Sequence, residues 1–151
     1  MWQWYNGNKV PSDSTCSRAW EFCKYLDAID SEWIVGCLDI GHVSLMLADI
    51  PEFIRKMGNK RLQALHVHDN DGKDDTHDLM FNANGINMMF PDNPNTIDWD
   101  KFMIALKDVG YKGTFSLEAD NFIKKYPDEL AFDAVCFMAK VARYLVDKHG
   151  L

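Results

Sequence analysis

Three short apolar runs each stop on a side chain able to hold a metal ion, and this pattern constrains the fold most. The runs are Trp33-Ile34-Val35-Gly36-Cys37-Leu38-Asp39, Leu62-Gln63-Ala64-Leu65-His66 and Thr114-Phe115-Ser116-Leu117-Glu118. Each is followed by loop residues and a helix-like stretch. Parallel strands joined by crossover helices place all their carboxyl ends on one edge. Asp39, His66 and Glu118 are therefore expected at one mouth, although they lie far apart in the chain. One Asp, one His and one Glu form a workable ligand set for a divalent cation.

The chain has 151 residues and a net charge of -7. That length suits one domain with a real core. The acidic balance and scattered lysines and arginines argue against nucleic acid as a partner. No stretch approaches the roughly 18 apolar residues of a membrane span, and Met1-Trp2-Gln3-Trp4-Tyr5 lacks the layout of a signal peptide. A cytoplasmic protein is the expectation. The four cysteines, Cys16, Cys23, Cys37 and Cys136, form no C-x-x-C pair and are expected to be reduced, buried small hydrophobes.

Helical spacing of Ala19, Phe22, Cys23, Leu26 and Ile29 predicts a helix over 15–29, with Ser14 or Thr15 as its cap. A second helix is expected at about 50–57, with Asp49 as cap, Pro51 in the first turn and Gly58 as the stop. Strand two covers 62–68. Residues 69–96 read as a long irregular segment rich in Asp, Asn, Gly and Met, the kind that forms binding loops or lids. A third helix is expected at about 98–109, capped by Asp98, with Trp99, Phe102, Met103 and Leu106 buried. The last helix, 127–148, carries a wide apolar set of Leu130, Ala134, Phe137, Met138, Val141 and Leu145, which predicts deep burial.

Strand side chains alternate between faces. If Asp39, His66 and Glu118 point inward, Cys37, Ala64 and Ser116 do so one pleat below. Leu38, Leu65, Phe115 and Leu117 then meet helices on the other side. This split predicts an α/β fold: a partial (β/α) barrel of three to four parallel strands, with four helices on its outer face. Residues 2–5 could supply a strand stub. Three or four strands leave an inner face and two edges uncovered, so self-association as a homo-oligomer is expected.

The strings LDIGH (38–42), LHVHDNDG (65–72), DDTHD (74–78), W-D-K-F-x-x-x-L (99–106), GYKGTFSLEAD (110–120) and ARYL (142–145) together resemble one family. It is the xylose-isomerase-like superfamily of sugar phosphate isomerases and epimerases, which also includes endonuclease IV. The resemblance covers nearly the whole chain, in order. It implies a TIM barrel and a divalent metal, manganese first, with magnesium, cobalt or zinc as alternatives. Asp39, His66 and Glu118 correspond to three of the family's four metal ligands. His42 matches the histidine of the D-x-G-H motif, which touches substrate in sugar enzymes and a further metal in the endonuclease. Asp75 and His77 match an aspartate and a histidine of similar roles, and His68 is expected to line the pocket.

The resemblance also marks a departure. In relatives the fifth strand ends in a glutamate, followed by residues like Met1-Trp2-Gln3-Trp4, and no acidic residue precedes Asp13 here. The chain is therefore expected to be the C-terminal portion of a barrel, residues 1–151 forming one incomplete domain. Three functions are compatible with it. The first is a metal-dependent sugar or sugar phosphate isomerase or epimerase, with Glu118 as proton shuttle and His42 steadying the oxyanion. The second is an inactive fragment that self-associates. The third, opposed by the acidic charge, is an endonuclease-IV-like DNA repair enzyme. Glu118 at the end of an apolar strand needs a partner for its charge, which a metal would supply.

Overall fold

The computed structural model describes residues 2–5, 8–11, 14–70, 72, 74–81 and 97–151. Its centre is a parallel sheet of β3 (Gly36–Asp39), β4 (Leu62–Val67) and β5 (Thr114–Leu117), in the order β3-β4-β5. The stub anticipated at residues 2–5 is β1 (Trp2–Tyr5), which pairs antiparallel with β2 (Asn8–Pro11) in a separate hairpin. It is thus no member of the parallel sheet.

Helices α1 (Ala19–Ile29), α3 (Ile50–Arg61), α4 (Trp99–Asp108) and α6 (Asp128–His149) form a row in which each packs on the next. These are the four helices expected on the outer face. Two short ones, α2 (Ile40–Leu45) and α5 (Asp120–Ile123), add a turn or so at the ends of β3 and β5. The result is an α/β fold with the architecture of a partial (β/α) barrel.

The faces divide as the alternation requires. Leu38 pairs with Leu65 and Leu65 with Phe115, and Leu38 and Leu65 are buried. They join Ile54, Met57, Phe102, Met103 and Leu106 in the core between sheet and helices. Each such side chain fully removed from water contributes roughly 1.5–3 kcal/mol. On the opposite face Cys37 and His66 are exposed, so that side of the sheet is open.

Helix starts follow local chemistry. Asp49 caps α3 by accepting from Glu52 N at 2.7 Å, and Asp98 caps α4 by accepting from Lys101 N at 3.0 Å. Gly58 leaves helical geometry at φ 65°, ψ 171°, and the chain continues for one more turn to Arg61 before β4. The expected stop is therefore a kink.

Other expectations are corrected. Helix α1 begins at Ala19, behind Arg18, and neither Ser14 nor Thr15 caps it. Cys16 takes the left-handed φ of 68°, which an α-helix does not admit. Ile29 is exposed, as are Trp33, Ile34 and Val35, because β3 starts only at Gly36. The cysteines are free, but none is buried, and Cys37 is exposed on the open face. In α6, Ala134, Met138 and Leu145 are buried as expected, whereas Leu130 and Phe137 are exposed. Helix α4 covers only part of the wide stripe. Of the long segment, Asp71, Lys73 and residues 82–96 lie outside the described residues.

Candidate metal centre at the strand ends

Parallel register brings the three strand ends together. Asp39 pairs with His66, and His66 with Ser116. Ser116 thus stands level with Asp39 and His66, and Glu118 lies one pleat further out. The strand is staggered relative to the expected row. Glu118 is nonetheless tied to the sheet, since its N donates to Val67 O at 3.0 Å.

Asp39 serves two purposes through its two oxygens. Oδ1 accepts from His42 N at 2.9 Å, capping α2, and from His68 Nε2 at 3.0 Å. Oδ2 is directed at other histidines, 3.3 Å from His42 Nδ1 and 3.9 Å from His66 Nδ1. The helix cap and a ligand role are therefore compatible on one carboxylate. Burial alone would raise this carboxyl. The His68 hydrogen bond, the His42 N–H and the charges of both imidazoles outweigh it and pull the pKa down to about 2.

Glu118 and His66 make the closest pair, with Oε2 2.8 Å from His66 Nδ1. That oxygen is shielded from solvent and has no partner in hydrogen-bond geometry. The Glu118 side chain is about a third exposed, and the neighbour of this oxygen is the His66 imidazole, a side chain that can itself ligate a metal. The donor separations around His66, 2.8 and 3.9 Å, lie on either side of the spacing around one cation. Ligands about 2.0–2.2 Å from one cation lie about 3.0–3.5 Å apart. Asp39, His68 and Glu118 also offer donor atoms all within 4.8 Å of one another. The residues present fit a divalent cation.

A second group lies beside the first. Asp75 reaches His42 Nε2 through Oδ2 at 3.0 Å and His77 Nε2 through Oδ1 at 3.3 Å. With His68 these residues form another set of donors within 4.8 Å of one another. The His68 and His77 rings stack at 4.2 Å, and His42 meets both edge-on. His77 is held at φ 46° by its Nδ1 contact with Glu118 O at 3.0 Å, while Asn121 Nδ2 donates to Thr76 O at 2.8 Å. Such a backbone position persists only where its surroundings fix it. The structure thus brings every sequence-derived site residue, Asp39, His42, His66, His68, Asp75, His77 and Glu118, to one mouth.

His68 carries more than the wall position expected of it. It is fully buried. Burial would lower its pKa, but the hydrogen bond and charge of Asp39, with Asp75 behind them, raise it. A Cβ on Gly41 would stand 2.0–2.5 Å from the His68 ring, so the glycine of the D-x-G-H motif makes room for it. Asn70, also buried, donates from Nδ2 to Gly41 O at 2.9 Å and accepts from Gly72 N at 3.0 Å. The sequence reading missed Asn70; the run His66-Val67-His68-Asp69-Asn70 was its only signal. Within the acidic segment Asp69 is buried and bridges Asp78 through both backbone hydrogen bonds. Burial, then Asp39 and Glu118, raise the Cys37 thiol, which keeps it protonated and a poor ligand.

A parallel sheet backed by a row of helices, with its polar side chains gathered at the strand carboxyl ends, is the plan of a (β/α) barrel site. Residues 5–140 match the family described as Xylose isomerase-like TIM barrel, and the chain belongs to that family. It is also similar to an uncharacterized protein, MJ1311, of Methanocaldococcus jannaschii, 33% identical over 95 residues. The match covers 62% of this chain and 28% of the relative, so the chain spans under a third of that protein's length. No solved structure matches it. Among the described residues, no helix is long and apolar enough to cross a membrane.

Proposed function

We propose that this chain carries the metal-binding half of a sugar isomerase or epimerase site, with Asp39, His66 and Glu118 as ligands. The observation that carries the reading is the approach of two carboxylates to one imidazole: Glu118 Oε2 lies 2.8 Å and Asp39 Oδ2 3.9 Å from His66 Nδ1, and Asp39 and Glu118 share a set of close donor atoms with His68. Manganese is the first choice among divalent ions. When bound, the cation would polarise adjacent carbonyl and hydroxyl oxygens of the substrate as a Lewis acid.

The residues of the chain do the rest. Glu118 moves a proton beside the carbonyl, through an enediol or enediolate. His42, held by Asp39 and Asp75, steadies the oxygen on which negative charge develops. His68 fixes the Asp39 carboxylate, and Asp75 with His77 lines the substrate side. The resemblance assigns the opposing acid–base group to a glutamate on a fifth strand. We propose that a complementary part of the barrel supplies it, and that a further copy of this chain covers the open face. The open face with exposed Cys37 and His66 supports such association, for which light scattering showing only monomers would be contrary. The four free thiols suit the cytoplasm. The acidic mouth opposes a DNA backbone, and with it the endonuclease reading.

The test is thermal unfolding with and without Mn²⁺, in wild type and Glu118→Gln. Saturation at 100 times Kd stabilises by about 2.7 kcal/mol. Wild type is expected to melt several degrees higher with Mn²⁺ and the variant to be unmoved. An equal shift in both, or none in wild type, contradicts the proposal.

A further inference from the structure

We infer that the substrate of this site is an unphosphorylated hydroxy-carbonyl compound whose non-reacting end is apolar; this rests on the metal reading above. A cavity of about 510 Å³ opens directly beside Asp39 and His42. Its apolar wall includes Phe22 on α1, Val43 and Met46 at α2, and Phe53 on α3. Among the described residues lining it, there is no lysine or arginine. The size suits a small ligand. Because Asp39 and His42 belong to both the cavity and the metal centre, a ligand with its carbonyl at the mouth would extend its other end along this wall.

Charge around the mouth points the same way. Asp39, Asp75 and Glu118 face it, and a divalent ion would offset only part of their charge. TIM barrels frequently take phosphate at the loops after their last strands and the start of a short extra helix. Here that helix is α5, which opens on Asp120. The lysines beside it are engaged, Lys124 with Asp120 and Lys125 with Asp78. A phosphate would lose hydration in the cavity without gaining a cationic partner from its described lining. Ser14, Thr15 and Ser17 also line the cavity and offer hydroxyls but no charge, and an apolar group gains burial against Phe22, Val43, Met46 and Phe53.

Three hydroxyketones that differ in one substituent test this: 2-hydroxyacetophenone, dihydroxyacetone and dihydroxyacetone phosphate. Each is titrated calorimetrically into the Mn²⁺-loaded chain, after Mn²⁺ itself has been titrated into the apoprotein. The phenyl ketone is expected to bind at least tenfold more tightly than the phosphate, and Met46→Arg to reduce that preference at least tenfold. The inference is overturned if the phosphate binds as tightly, or if Met46→Arg leaves the order unchanged. It is equally overturned if a chain that takes Mn²⁺ binds none of the three, the result expected if another segment fills the cavity. A chain that takes no Mn²⁺ overturns the metal reading itself, and the inference with it.

Discussion

Asp39→Asn isolates the charge that holds the mouth together. The asparagine keeps an oxygen at the Oδ1 position, so the α2 cap is largely retained, while the negative charge facing His42, His66 and His68 is lost. The carboxyl sits at about 2 against an ordinary 3.8, and at about 1.4 kcal/mol per pH unit this amounts to about 2 kcal/mol. Its side chain is only 19% exposed, so solvent screening removes little of this. The folded value lies below the unfolded one. The contribution is therefore complete above about pH 4 and is lost as pH falls through about 2, with about half remaining at pH 3. His68 behaves in the opposite sense. Its folded pKa is raised, so its share is present in acid and disappears as pH rises through that value. The gap between wild type and Asp39→Asn is thus widest between the two, near pH 5.5. Urea unfolding followed by circular dichroism, in EDTA and at one protein concentration, measures it at pH 3, 5.5 and 9. A gap of about 2 kcal/mol at pH 5.5 that shrinks on both sides is expected. A gap that is flat across the three pH values would refute the reasoning.

Two glycine substitutions separate packing from backbone. Gly41→Ala drives a methyl into the buried His68 ring and is expected to cost about 1–3 kcal/mol in urea unfolding, with weaker Mn²⁺ binding as Asp39 shifts. An alanine variant with unchanged Mn²⁺ affinity would show that the ring has room to retreat. At Gly58 a Cβ meets nothing within 4 Å, yet φ 65°, ψ 171° is a conformation nearly confined to glycine. Gly58→Ala is therefore expected to cost about 1–3 kcal/mol while Mn²⁺ binding stays at the wild-type level. A neutral effect in unfolding would contradict that.

The strand ends were legible because period-two alternation and a terminal polar residue carry the same message three times. Leu38 and Leu65 went to the helices, and Asp39 and His66 to the mouth, as parity requires. Asp49 and Asp98 as caps were legible because capping is local chemistry. What escaped depends on tertiary context. The stagger that sets Glu118 one pleat above His66 is a property of the pairing. Full burial of His68 depends on Gly41 leaving space, a relation between positions 27 residues apart (68 minus 41) that no local pattern encodes. Leu130 and Phe137 satisfy helical periodicity on α6, but periodicity marks a face as apolar without saying whether a neighbour covers it.

The central claim is that one cation sits among Asp39, His66 and Glu118. Anomalous diffraction at the manganese edge from crystals soaked in Mn²⁺ tests it most directly. The account predicts a peak within about 2.0–2.3 Å of Asp39 Oδ2, His66 Nδ1 and Glu118 Oε2. A soaked crystal with no peak there, or with its only peaks elsewhere on the surface, would contradict it.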